Sequence, residues 1–352
     1  MPIAAQRDEG LFRRDFAVWL ARKLGVPDVS LSGLGGPAYS GFSNETILVD
    51  AAWTDGGERR TRGLAVRLEP SGHQVFPDTV FETQVDVIRA LYEAGLTVPE
   101  ILWYEPDSSA IGARFFVMTR VDGRAPTDNP PYHVDGWLHA VTPDVRGRIW
   151  RNGLDAMIAV HRTDRRGGKL SELPVISAAD QLKRDREYLA WVLQGRSYPL
   201  VERAFDLLES KMPSDVEPAL CWGDARIGNI LFDDAGSVRA ILDWEMVTIG
   251  DPLSDLAWFM LLDRHHSESC GAPRLEGFPS YEETITLWER GTDRSAAEYG
   301  WWELLGAAHY AAILTRVFDL LEDTGILEGA RLMATQNTGT ILLTAIMDEK
   351  KV

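Results

Sequence analysis

Residues 220–260 read LCWGDARIGNILFDDAGSVRAILDWEMVTIGDPLSDLAWFM, and no other stretch of the chain gathers so many chemically demanding side chains in so short a span. Asp224 and Asn229 stand five apart in a glycine-flanked loop. Asp243 follows after an apolar strand, a turn and a second strand. The pattern is a strand, a hairpin and a strand that together present three oxygen-bearing side chains. Beyond it, Gly250-Asp251-Pro252 opens a helix, with Asp251 and Asp255 before and at its start, where carboxylates accept backbone N–H groups. Both read as structural.

A carboxylate, an Asn five residues on and a further Asp at a following strand end form the set with which kinase-type loops orient an accepting hydroxyl and hold Mg²⁺. The segment resembles the aminoglycoside phosphotransferase and choline kinase-like family of small-molecule kinases. Its wording, GDARIGNILF and LDWEMVTIGDPLSDLAW, is similar to the branch that includes the kinase-like domains attached to acyl-CoA dehydrogenases. The resemblance implies that Asp224 is catalytic; Arg226, inside the loop, reads either as a cation near the transferred group or as a loop-stabilising salt bridge. The resemblance also implies that Asn229 and Asp243 bind Mg²⁺, that ATP or GTP is the co-substrate, and that Asp255 braces the catalytic loop from below. One position departs: the family writes His-Gly-Asp where this chain has Trp222-Gly223-Asp224.

Composition sets the outer bounds. With 352 residues, 45% of them hydrophobic, the chain is long enough for two modest domains or a bilobal enzyme with a sizeable core. A formal net charge of −17 gives no field that attracts a nucleic-acid backbone, so nucleic acid is not an expected partner. Acidity suits a cationic substrate, but solubility alone accounts for it as well. Cys221 and Cys270 are too few for a disulfide framework or a Cys-rich zinc site, which fits a reducing cytoplasm. The start, MPIAAQRDEGLFRRDF, carries no long apolar run, and residues 256–262 are far short of a membrane span. The expectation is a soluble cytoplasmic protein with no membrane partner.

Taken in order, residues 9–24 place Leu11, Phe12, Phe16, Trp19, Leu20 and Leu24 at helical spacing, stopped by Gly25 and Pro27. Residues 29–53 read as a β-hairpin with residues 41–44 at its tip. Gly41, Ser43 and Asn44 match a Gly-x-Ser-Asn turn that covers the nucleotide in the resembling family. A third strand over residues 63–68 carries Arg67 where kinases place the Lys that grips the phosphates. On the helix predicted over residues 79–94, the family's partner Glu falls on Gln84, with Glu82 nearby. Either Gln84 bonds Arg67 or Glu82 takes over. Two strands follow, the second feeding the hinge, so Met118, Thr119 and Arg120 are nucleotide contacts by position.

The Pro-rich APTDNPPYH marks entry into a helical second lobe. His161 lies on the core-facing stripe of a helix over residues 145–161 and reads as structural. Helices over 180–194 and 200–211 are candidates for shaping an acceptor pocket. Residues 264–280, RHHSESCGAPRLEGFPS, read as a long polar loop on the substrate side, with His265 and His266 either exposed or in contact with an acceptor phosphate or carboxylate. Helices follow near residues 281–290, 301–322 and 330–347. Trp301, Trp302, His309 and Tyr310 are read as core packing or as pocket lining.

The expected fold is α+β and bilobal, protein-kinase-like, with a β-rich N-lobe over residues 1–120 and a mostly helical C-lobe over residues 121–352. The expected activity is transfer of the γ-phosphate of ATP or GTP to a hydroxyl of a small molecule, an aminoglycoside or a hydroxyacyl compound or CoA thioester. Trp222, Arg67 and Gln84 keep a second reading open, a nucleotide-binding pseudokinase with a regulatory or scaffold role. The chain has no G-x-x-x-x-G-K-[ST], H-E-x-x-H or G-x-S-x-G, so P-loop, zincin and hydrolase readings find no support.

Overall fold

A computed structural model describes residues 8–36, 45–69, 75–77 and 81–351. The chain divides into two compact units, one of residues 1–92 and 98–122 and the other of residues 93–97 and 123–352.

The first unit begins with helix α1 (Glu9–Leu24), capped by the Asp8 carboxylate on the Leu11 N–H and ended by Gly25 in the left-handed region. Strands β1 (Ser30–Gly35), β2 (Glu45–Asp55) and β3 (Glu58–Leu68) follow, then α2 (Phe81–Glu93), β4 (Ile101–Glu105) and β5 (Phe115–Thr119). They form one antiparallel sheet in the order β1-β2-β3-β5-β4. Strand β3 starts at Glu58, five residues before the apolar run that the sequence shows. Its first half is an exposed ribbon pairing with β2, where polar side chains face solvent on both sides.

Alternation along β3 and β5 assigns the two faces. Leu64, Val66, Leu68, Phe115 and Val117 join Phe12, Phe16, Trp19 and Leu20 of α1 in one core, with the Trp19 and Phe115 rings 4.8 Å apart. Arg67 and its cross-strand neighbour Phe116 point to the other face, where Phe81 of α2 meets Phe116 at 5.2 Å.

The second unit is mostly helical. It comprises α3 (Trp137–Ala140), α4 (Pro143–His161), α5 (Ala178–Leu193), α6 (Pro199–Ser210), α7 (Leu253–Ser267), α8 (Tyr281–Thr292), α9 (Tyr299–Asp323) and α10 (Thr338–Glu349). Between α6 and α7 lie four short strands, β6 (Ala219–Cys221), β7 (Ile230–Phe232), β8 (Val238–Ile241) and β9 (Thr248–Gly250), paired β6 with β9 and β7 with β8. Ser177 with Asp180 and Ser280 with Glu283 form capping boxes that fix the starts of α5 and α8. Among the described residues, α9 alone is long and apolar enough to cross a membrane, yet here it packs against α5, α6, α7 and α10.

Two sequence expectations need correction in this unit. The stretch expected as a long loop from residue 264 begins as helix, because α7 runs on to Ser267 and a 3-10 turn continues to Cys270. His265 and His266 are buried rather than exposed. Arg264 is buried too, and it reaches Glu268, Glu303 and Glu349, so a run that looks solvated in sequence is held inside by partners up to 85 residues away. The last helix starts at Thr338, capped by Asn337, with only a 3-10 turn over Ala330–Met333 before it.

A fully buried carboxylate organises the far side of α7. Asp263 receives the hydroxyls of Tyr132 (2.8 Å) and Tyr281 (3.0 Å), His133 Nε2 (2.8 Å) and Arg274 Nε (2.6 Å). Burial pushes its pKa up, but the His133 and Arg274 contacts outweigh that and hold it at about 2. A depressed folded pKa means stability that is present above the unfolded value of about 4 and lost as pH falls toward 2, amounting to ~2–3 kcal/mol. Urea midpoints between pH 5 and pH 2.5 test this: the wild-type slope should exceed that of Asp263→Asn, and equal slopes would remove the assignment.

Candidate active site

Strand β6 delivers the chain into the loop that carries Asp224, and Gly223 makes the turn possible. Gly223 has φ 91°, and a Cβ there would lie 2.2 Å from the Met246 carbonyl oxygen, so only glycine fits. The two preceding backbone donors are fixed by one buried side chain. Asp255, at the start of α7 and 1% exposed, accepts the N–H of Trp222 (2.6 Å) and of Gly223 (2.9 Å). His161 Nε2 meets the same carboxylate at 2.9 Å, and its Nδ1 accepts the Trp288 indole N–H at 3.1 Å. Asp255 thus braces the loop from below, and His161 is a structural histidine with both ring nitrogens used.

The Asp224 carboxylate is held at both oxygens. Trp258 of α7 donates its indole N–H to Oδ1 at 2.8 Å, while the Asn229 amide (2.6 Å) and Arg226 Nε (3.2 Å) donate to Oδ2. Arg226 is clamped on its other side by Asp128 at 2.6 Å, and the two carboxylates keep its guanidinium firmly charged despite burial. His266 Nε2 lies 3.5 Å from Asp128. Burial lowers the pKa of His265 to about 3 and of His266 to about 4, so both rings are neutral at physiological pH. Their neighbours are aromatic: His265 lies 4.8 Å from Tyr310, which lies 5.7 Å from Trp258.

Asn229 links the Asp224 loop to the next one. Its side-chain nitrogen is spent on Asp224, and its backbone carbonyl accepts the N–H of Leu242 at 2.8 Å. Asp243 follows at φ 61°, a left-handed conformation that a non-glycine residue adopts only when its surroundings impose it. Hydrogen bonds thus tie Asp224 to Arg226 and Asn229, and Asn229 in turn to Leu242, the residue before Asp243. The donor chemistry fits Mg²⁺: Asn229 has its amide oxygen to offer and Asp243 a carboxylate. Mg²⁺ takes one or two protein oxygens and completes its shell with water and phosphate. A closed protein-only metal site is a different case, since no group of three His, Cys, Asp or Glu residues gathers among the described residues. A cavity of about 600 Å³ lies elsewhere in the second unit, lined by His133, His139, Cys270 and Arg274 among others and by none of Asp224, Arg226, Asn229 and Asp243.

Within the first unit, Arg67 and Gln84 occupy facing surfaces. Gln84 follows Phe81 by one helical turn on α2, is 2% exposed, and its side-chain nitrogen finds no hydrogen-bond partner among the described residues. Glu82, the other candidate partner for Arg67, is engaged elsewhere: it accepts the Tyr104 hydroxyl at 2.7 Å and Arg114 at 3.3 Å. Met118 is buried in the sheet between Ala65 and Ile101. Arg120 turns its guanidinium to Asp50 at 2.7 Å, across Gly63. Gly41, Ser43 and Asn44 lie outside the described residues.

Sequence reading missed two participants. Trp258 stood in plain view in the GDPLSDLAW motif, but nothing local says that an indole 34 residues on will hold Asp224. Asp128 sits in the Pro-rich stretch read only as a lobe boundary, and its pairing with Arg226 spans 98 residues. Of the aromatic group proposed as core or lining, Trp301 and Trp302 donate to the Leu208 carbonyl and to Asp251, whereas Tyr310 packs on Trp258.

A five-stranded antiparallel unit followed by a helical unit with these loops defines a protein-kinase-like phosphotransferase fold. Residues 37–290 match the phosphotransferase enzyme family APH, and the chain belongs to it. Among curated proteins it is similar to human acyl-CoA dehydrogenase family member 11 (30% identity over 241 residues, 63% of this chain and 28% of that protein). It is also similar to mouse acyl-CoA dehydrogenase family member 10 (29% over 206 residues, 57% and 18%) and to Arabidopsis thaliana probable acyl-CoA dehydrogenase IBR3 (26% over 302 residues, 79% and 35%). The chain spans about a fifth to a third of the length of these relatives.

Solved structures share the fold. An aminoglycoside phosphotransferase-like protein from Ralstonia eutropha superposes with a TM-score of 0.69 at 20% identity, over 96% of this chain and 98% of that one. Macrolide 2′-phosphotransferase type I gives 0.61 at 14%, over 94% and 98%. A thermostable mutant of the aminoglycoside phosphotransferase APH(4)-Ia, in complex with ADP and hygromycin B, gives 0.57 at 16%, over 94% and 98%.

Proposed function

We propose that the protein is a small-molecule kinase that transfers the γ-phosphate of ATP or GTP to a hydroxyl of its acceptor, with Mg²⁺ as the metal. The observation that carries this reading is the linkage of Asp224, Asn229 and Asp243 through the 2.6 Å amide contact and the 2.8 Å Leu242 bond. Asp224 accepts the hydroxyl's hydrogen bond, orients its oxygen toward phosphorus and takes its proton late in the transfer. Because three donors fix the carboxylate, its orientation needs no rearrangement when substrate arrives. Arg226 places positive charge beside Asp224, where the transferred group would carry negative charge. Asn229 and Asp243 hold Mg²⁺, which when bound offsets charge on the phosphate oxygens. Arg67, with Gln84 facing it, is the phosphate-gripping cation of the first unit, and Gly41, Ser43, Asn44, Met118 and Arg120 belong to the nucleotide side by position.

Two acceptor classes stand. The curated relatives are acyl-CoA dehydrogenase family proteins, which supports a hydroxyacyl compound or its CoA thioester. The hygromycin B complex supports an aminoglycoside. Against a pseudokinase stand the complete Asp224, Asn229 and Asp243 set and the bracing of their loop by Asp255. The test is nucleotide consumption with ATP and with GTP, in Mg²⁺ and in EDTA, across hydroxyacyl-CoA thioesters, free hydroxy acids and aminoglycosides. One class should raise turnover at least tenfold over the acceptor-free rate. Nucleotide binding without stimulation by any acceptor would favour the scaffold reading instead.

A further inference from the structure

Trp222 stands where the resembling family has a histidine, and the structure gives it more than bulk. Its side chain is fully buried, and a buried indole N–H needs an acceptor. It has two: the carbonyl oxygens of Leu242 at 2.8 Å and of Asp243 at 3.1 Å. Those carbonyls flank the φ and ψ angles of Asp243, the residue in the left-handed region. For a residue with a Cβ that conformation is unfavourable and persists only where neighbours impose it.

The indole is itself immobilised. Its backbone N–H is held by Asp255, its ring lies 5.8 Å from that of Trp244, and the Gly223 that follows is pressed against Met246. From the other side, Asn229 holds the N–H of Leu242. Leu242, the residue leading into Asp243, is therefore gripped at its N–H by the backbone carbonyl of Asn229 and at its own carbonyl by the indole.

We infer that Trp222 is the positioning residue of the metal-binding loop, its indole N–H fixing the Asp243 backbone so that the carboxylate stands ready for a divalent cation beside Asn229. The inference rests on the kinase reading for the identity of the cation but not for the loop geometry. Trp222→Phe keeps an aromatic ring and removes the donor. Trp222→His is smaller and restores a ring N–H.

The first measurement is amide hydrogen exchange of residues 240–248 in the full chain, free of metal and nucleotide. Trp222→Phe should exchange there about 5- to 10-fold faster than wild type, the loss of one buried hydrogen bond. Trp222→His should return toward the wild-type rate. The second is the Mg²⁺ concentration for half-maximal ATP binding by calorimetry, expected to rise about 5-fold in Trp222→Phe and less in Trp222→His.

Unchanged exchange in Trp222→Phe, or equal acceleration in both variants, overturns the inference. If Trp222→Phe fails to fold while Trp222→His folds, the donor is what the loop requires. If neither folds, volume is the role and the inference falls. Should wild type bind no Mg²⁺-nucleotide, the kinase reading fails while the exchange result still decides what Trp222 does.

Discussion

Asp224→Asn is expected to lower kcat by about 10²–10⁴-fold with the cognate acceptor, while nucleotide affinity changes by less than about threefold. The substitution keeps shape and removes both the proton acceptor and the negative charge. Every neighbour of this carboxylate is a donor: Trp258 at Oδ1, Asn229 and Arg226 at Oδ2. An Asn side chain turns one of its two ends into a further donor, so one of these contacts must break. Asn229 and Arg226 share the Oδ2 position, so the arrangement that loses least turns the amide NH2 toward Trp258 and gives up that single contact. The fold should survive, with a melting temperature within a few degrees of wild type. Steady-state kinetics and calorimetry on one preparation decide it. A kcat loss below about tenfold would mean that Asp224 does not meet the acceptor hydroxyl.

Asp255→Ala should be the most damaging single change to stability in the catalytic region, at ~3–5 kcal/mol. It strips partners from the Trp222 and Gly223 N–H groups and from His161 Nε2, and at the buried Trp222 and His161 water cannot replace them. Asp255→Asn should cost less, since its amide oxygen still accepts from part of the set. Urea denaturation of the three proteins measures the series. The order wild type, Asn, Ala is required, and a loss under about 1 kcal/mol for Ala would show that the loop backbone is held by something else. Because Gly223 precedes Asp224, kcat should fall in Asp255→Asn even where the protein remains folded.

The two variants divide the site between chemistry and support, and the same division describes what was legible beforehand. Asp224, Asn229 and Asp243 could be read because their spacing is local: a strand, a tight loop and a hairpin bring them together within twenty residues, and few sequences do that by accident. Arg67 and Gln84 were placed by the family resemblance, and the structure shows Gln84 buried on α2 one helical turn after Phe81. Glu82 could not be decided, since its engagement with Tyr104 and Arg114 joins three separate elements. His265 and His266 were misread because polarity was taken for exposure. Their burial follows from the continuation of α7 past Asp263, where Asp263 and Arg264 each find partners distant in sequence.

By itself, then, the sequence determined the order of β-rich and helical units, the presence of three oxygen-bearing side chains in one short segment and the membership of the phosphotransferase enzyme family. These depend on short-range patterns: apolar periodicity, glycine where φ must be positive, and fixed spacing within one hairpin. The tertiary structure alone decided how the departure at Trp222 is accommodated and who holds Asp224. An indole N–H has one direction, and whether it meets the carbonyls of Leu242 and Asp243 depends on a chain that returns twenty residues later. The same holds for Trp258 on Asp224 and Asp128 on Arg226. Local sequence sets which groups are available, but long-range packing sets which of them can touch.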